Sequence, residues 1–264
     1  MKNITLNIKG FWLGLVFVSL LSACETKTYQ VQSMEGSVVD IDSTFDKYAN
    51  PQMVDLLNKY KIELDRQMSV VIGEAVRTLT KDAPKYELVF FTSDVMKQFG
   101  DADIEGGVDL SFINVGGLRT ALNKGAITVG SIFEIYSFDN VIVYVDLKGE
   151  YLSKIFDQFA ETSPQGFSAN VQLIIQDNKV ASVLIDGQEI DENKNYKIIT
   201  VDYLSEGNDG LDELRNASSI HRSNIFLRDM MINYIEQLTA RGKKIDFPTE
   251  EERLIYRNYE DTEL

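Results

Sequence analysis

Asn114-Val115-Gly116-Gly117-Leu118-Arg119 closes the apolar run that begins at Asp109, and Asp202-Tyr203-Leu204-Ser205-Glu206-Gly207-Asn208-Asp209-Gly210 follows the run Tyr196 to Val201. Both read as a β-strand ending in a glycine-rich turn. Paired glycines let a backbone turn sharply and approach a ligand closely, and Arg119 can offer a planar guanidinium fork to phosphate. Between the two turns, Tyr136-Ser137-Phe138-Asp139-Asn140 sets an aromatic just ahead of another strand. Taken singly, each segment is an ordinary turn or a core aromatic; their order along the chain is what carries information.

Working outward, apolar alternation and β-branched runs predict strands at Met68 to Ile72, Tyr86 to Phe91, Asp109 to Val115 and Val141 to Asp146. Further strands are expected at Val171 to Gln176, Val180 to Ile185 and Tyr196 to Val201, with an Asp186-Gly187 turn between the last two. Helical spacing fits Pro51 to Arg66, Ser93 to Gln98, Glu150 to Glu161 and Asn224 to Ala240. Strands and helices mix without a regular βαβ rhythm. The expected class is α+β, a single domain with a mixed sheet and flanking helices. The expected organisation is a signal peptide over 1–23, a polar tether over 24–50, a lead-in helix over 51–66 and the domain over 67–264.

The chain has 264 residues and a formal charge of −15, from 26 Lys+Arg against 41 Asp+Glu. That balance argues against a nucleic-acid partner, whose backbone is gripped by clustered cations. A few local cations can still define a site for an anionic small molecule. One Cys and one His are present. No intrachain disulfide can form, and a site of several imidazoles cannot be assembled from this chain.

The N-terminus reads as an address. Lys2 and Lys9 precede a stretch, Gly10 to Leu21, that is apolar except for Ser19, shorter than the roughly 20 residues that span a bilayer. It ends in Leu21-Ser22-Ala23-Cys24, which resembles the bacterial lipobox. The sole cysteine thus stands where lipidation needs it. This implies a chain lipidated at Cys24 and anchored in the bacterial cell envelope, facing the periplasm or the outside.

The ordered set of segments resembles the C-terminal, substrate-binding domain of the 5′-nucleotidase family. The series runs Asn114 to Arg119, Gly125-Ala126-Ile127-Thr128, Phe138-Asp139-Asn140, Leu147-Lys148-Gly149, Tyr196 to Thr200 and Tyr203 to Gly210, within about Met68 to Leu211. The resemblance implies that Phe138 and Tyr203 sandwich a nucleobase and that Asn114 touches the base edge. It further implies that Gly117 belongs to the binding turn, that Arg119 holds phosphate and that Asp209 accepts from ribose hydroxyls. Departures are Ser137, where the family has Pro, and Asn208 in the late turn, expected to tolerate a left-handed backbone. Arg77, Lys81 and Lys85 lie near the family's upstream phosphate arginines but out of register.

Full-length members of that family also carry a metallophosphatase domain whose two metal ions are held by Asp, Asn and several His. His221, the single imidazole here, reads as a surface residue. Asp191-x-Asn193-x-Asn195 has the spacing of a calcium loop, but Tyr196 stands where that loop needs Gly. The expectation is therefore a nucleotide-binding, substrate-specificity part of a 5′-nucleotidase-type phosphohydrolase, with no catalytic residue and no metal ligand of its own. Two divalent metal ions would reside in a separately encoded metallophosphatase partner. The alternative is a non-catalytic envelope lipoprotein that captures nucleosides or nucleotides for scavenging.

Overall fold

A computed structural model describes residues 29–162, 165–248 and 252–257. The signal peptide and Cys24 lie outside the described residues. The chain divides into two units, Met1–Val54 and Asp55–Leu264.

In the first unit, a short 3-10 helix spans Ser43–Tyr48, and Asp42 caps it by accepting from the Thr44 amide. None of its residues is buried. Helix α1 (Pro51–Met68) starts where expected. The Asn50 side chain accepts from the Gln52 amide at 2.9 Å, and Pro51 fills the first helical position. The Glu63–Arg66 ion pair at 2.7 Å lies in its last turns, and the helix runs through Met68. Strand β1 (Val71–Ala75) therefore begins later than the expected Met68.

Helix α2 (Glu87–Asp103) replaces the strand expected at Tyr86 to Phe91 and absorbs the helix expected at Ser93 to Gln98. Every residue from Glu87 to Ser93 is buried. A helix covered on all sides shows no 3.6-residue stripe, so its aromatic and β-branched run resembles a strand. Strand β2 (Leu110–Ile113) is buried at all four positions. β3 (Gly125–Thr128) leads into α3 (Val129–Ile135), two elements the periodicity did not disclose. Thr128 caps α3 through a reciprocal bond with Ser131.

β4 (Val141–Lys148), α4 (Gly149–Glu161), β5 (Gly166–Phe167), β6 (Val171–Gln176) and β7 (Lys179–Ile185) follow close to expectation where one existed. After the two-residue β8 (Gln188–Glu189) come β9 (Asn195–Val201) and the single-turn α5 (Asp202–Ser205). β10 (Ser219–Phe226) takes the first residues assigned above to the last helix, so α6 spans Leu227–Ala240. β11 (Leu254–Arg257), likewise unforeseen, ends the described chain.

The central sheet has the order β10-β4-β9-β2-β5. β9 runs parallel to β2, with Leu110 opposite Ile198, and antiparallel to β4, with Ile142 opposite Val201. A second sheet, β11-β6-β7-β8, and the β1-β3 pair complete the mixed α+β fold. On β2, the Ser111 hydroxyl donates to the Ser93 carbonyl of α2 at 2.7 Å, while the next side chain, Phe112, meets Phe156 and Phe159 of α4 edge-on at 5.7 Å. Successive strand residues point to opposite faces, so α2 and α4 cover the two sides of the sheet. Fully buried Phe112, Phe156 and Phe167 anchor that core.

Candidate functional site

Because β2 and β9 are parallel neighbours, their C-terminal ends emerge side by side. β4 is antiparallel to β9, so its first residues emerge at the same edge. Three loops converge there: Asn114–Gly117 after β2, Asp202 to Gly210 after β9, and Tyr136 to Asn140 before β4. The crevice beyond the carboxyl ends of parallel strands is a recurrent ligand position in α/β sheets. A cleft of about 380 Å³ opens at this point, lined by Asn114, Gly116, Gly117, Arg119, Phe138, Asn140, Tyr203 and Asp209. All six residues expected at a binding site are among them. Gly116 and Asn140 complete the wall; both stand inside the quoted segments, and only the loop convergence gives them a place in it.

Asp209 sits at the centre of the polar contacts. Its Oδ2 accepts from Asn114 Nδ2 at 2.6 Å, and its Oδ1 accepts from the Tyr203 hydroxyl at 2.9 Å. Asn114 is buried, and its Oδ1 has no hydrogen-bond partner among the described residues. That oxygen lies against Gly117, where an added Cβ would come within 2.5 Å of it. Glycine at 117 thus leaves room for the Asn114 amide to reach across to Asp209.

The late turn holds Asp209 in the left-handed region, at φ +52°, flanked by Gly207 at +81° and Gly210 at +78°. Asn208, expected above to tolerate that conformation, is not called on to adopt it, because Asp209 takes the left-handed position. Asn208 stabilises the turn differently, donating from Nδ2 to the Tyr203 carbonyl at 2.8 Å. The Tyr203 phenol is held above its ordinary pKa, first by the hydrogen bond to Asp209 and then by that carboxylate's charge.

Phe138 and Tyr203 are 49% and 41% exposed, well above what core aromatics retain. Exposed rings in a concave, polar-floored site are available to a ligand. The Arg119 guanidinium stands 5.7 Å from the Phe138 ring centroid, with Nη1 3.4 Å from the Gly116 carbonyl oxygen. Arg228 of α6 braces the same loop from behind. It donates to the Tyr136 carbonyl at 3.2 Å, pairs with Asp139 at 2.7 Å, and lies 4.1 Å from the Phe133 ring centroid. No local motif marks Arg228, which stands far from the loop in sequence.

The upstream cations stay out of the cleft. Arg77 pairs with buried Glu87 at 2.8 Å and Lys81 with Asp82 at 3.3 Å. His221 is exposed, and its ring stacks on Tyr144 with 6.2 Å between centroids. Among the described residues, no group of three or more His, Cys, Asp or Glu side chains is placed to hold a metal ion. Nor, among those residues, is any helix long and apolar enough to cross a membrane.

Comparison with known proteins identifies the same region. The Protein UshA of Yersinia enterocolitica is 25% identical over 213 residues, covering 79% of this chain and 38% of that protein. A 5′-nucleotidase of Vibrio cholerae is 20% identical over 229 residues, covering 85% and 40% respectively. The chain thus spans well under half the length of these relatives. Among solved structures, the 5′-nucleotidase precursor from Thermus thermophilus superposes with a TM-score of 0.65 at 21% identity, covering 77% of this chain and 42% of that one. The sequence profile of the family described as 5′-nucleotidase, C-terminal domain matches residues 69–216, over half of the chain and all three cleft loops, and the chain belongs to that family.

Proposed function

We propose that the cleft clamps a nucleotide, and that this chain is the substrate-binding part of a 5′-nucleotidase-type phosphohydrolase. The single observation that carries the reading is the Asp209 carboxylate, oriented by Asn114 and Tyr203 in a cleft that two exposed rings also line. Stacking on such rings contributes about 1–3 kcal/mol per base and tolerates different bases. An ionised carboxylate is acceptor-only, which suits the two hydroxyls of a ribose diol. In this reading Asn114 positions Asp209, and Arg119 meets the phosphate side.

The hydrolytic centre, on the same proposal, belongs to a separately encoded metallophosphatase chain carrying two divalent metal ions. Its support is chemical: one histidine in 264 residues cannot make a multi-imidazole centre. We also propose that Cys24 is lipidated and tethers the protein to the bacterial envelope, a reading supported by the Leu21-Ser22-Ala23-Cys24 sequence. Cys24→Ser should then move the protein out of the membrane fraction; retention there would defeat the anchor.

The test is calorimetric titration of the full-length chain in detergent with AMP, alongside Phe138→Ala and Asp209→Asn. Binding that both substitutions weaken supports the clamp, and a folded protein that binds no AMP contradicts it. Hydrolysis of AMP at ordinary enzyme rates by this chain with divalent metal alone would sink the division of labour. Binding with no gain in hydrolysis on adding a metallophosphatase would favour capture for scavenging.

A further inference from the structure

Charge around the cleft is nearly cancelled. Among the described residues, Arg119 is the one cation and Asp209 the one carboxylate in the lining. Other acids on the converging loops already hold the nearby arginines. Asp139 pairs with Arg228 at 2.7 Å, while Asp202 and Glu206 share Arg222 at 3.4 and 3.0 Å. The short helix α5 offers little to an anion either, because the Asp202 carboxylate accepts from the Tyr203 amide at 2.9 Å. Arg119 is itself exposed, and its contacts are with the Phe138 ring and the Gly116 carbonyl. The parts suited to uncharged groups, two open rings and an oriented carboxylate, are complete.

We infer that this site draws its affinity from base and sugar and takes a nucleoside about as tightly as its monophosphate, with polyphosphates held more weakly. The inference rests on the clamp proposed above and adds which part of the ligand the clamp reads. One exposed guanidinium against a phosphate changes affinity by about fivefold or less. Stacking supplies about fivefold or more, and a hydrogen bond to an oriented carboxylate about tenfold or more. Each further phosphate enters the field of a chain carrying −15, with no second cation lining the cleft among the described residues. The phosphate is thereby left to the metal-bearing chain.

The full-length protein in detergent should be titrated calorimetrically with adenosine, AMP and ATP at low and high salt. Adenosine and AMP should bind within about fivefold of each other. ATP should bind about threefold or more weaker than AMP at low salt, and the gap should narrow at high salt as screening sets in. Arg119→Gln should lower AMP affinity by less than about fivefold. AMP binding more than about tenfold tighter than adenosine, with the excess removed by Arg119→Gln, overturns the inference and leaves the clamp standing. Silence toward all three ligands overturns the clamp itself, and the inference with it.

Discussion

Asn114 and Asp209 lie 95 residues apart in sequence and 2.6 Å apart in space, amide nitrogen to carboxylate oxygen. The contact joins the turn after β2 to the turn after β9, and it exists because those strands are parallel neighbours. With Tyr203 on the other oxygen, it fixes the direction in which the carboxylate faces the cleft.

Asp209→Asn should keep the fold, since Asn tolerates the left-handed backbone at this position, φ +52°. It replaces a charged acceptor by an amide whose nitrogen must face either Asn114 or Tyr203. Ligand affinity should fall by about tenfold or more, the size expected for hydrogen bonds to a charged group. Calorimetry with matched thermal melts checks both halves.

Gly117→Ala should behave as a remote break of the same contact. The new methyl would come 2.5 Å from Asn114 Oδ1 and push the amide away from Asp209. Reduced binding with an altered Asn114 side-chain resonance by NMR is the expected outcome. Unchanged binding would show that Asn114 does not need to reach Asp209.

Arg228→Met removes a brace without touching the cleft lining. The Nη1 bond to the Tyr136 carbonyl and the pair with Asp139 are lost, which should lower stability by about 1–2 kcal/mol. Binding should weaken as the Phe138 loop loosens. Arg228→Lys should rescue poorly, because a single ammonium cannot serve a carbonyl and a carboxylate as a planar fork does.

Alkaline stability should reflect two phenols. Burial raises the pKa of Tyr136 and outweighs its bond to Thr92, and burial with the hydrogen bond to Asp103 raises that of Tyr144. A pKa raised in the folded state means that folding favours the protonated phenol. The stabilisation is therefore whole below the unfolded tyrosine value near 10 and is lost as pH rises through the folded values. An ultraviolet titration should show these two of the 12 tyrosines ionising last, together with unfolding. Tyr136→Phe should reduce the late amplitude.

Phe112→Ala tests the core beneath the site. Phe112 is fully buried and packs edge-on against both Phe156 and Phe159. Its loss should cost about 3–5 kcal/mol in denaturant unfolding. A much smaller cost would mean that α4 does not seat on this strand.

What the sequence determined by itself were features written in short stretches. Alternation marked β6 and β9, helical spacing from Pro51 marked α1, and the ordered segments, through their resemblance to a known family, implied all six expected cleft residues. What failed were features whose signal is tertiary. Burial on every side hid the helical period of α2, and β10 absorbed Asn224 to Phe226 because the strand, after an irregularity past Arg222, pairs once more with β4 through Phe226 and Val141. Arg228, Asn140 and the choice of Asp209 over Asn208 for the left-handed position also belong to the folded state. The turn sequences are local and readable, but bringing them to one cleft depends on strand order, and strand order is set by which buried faces pack together, an energy that no window of neighbouring residues contains.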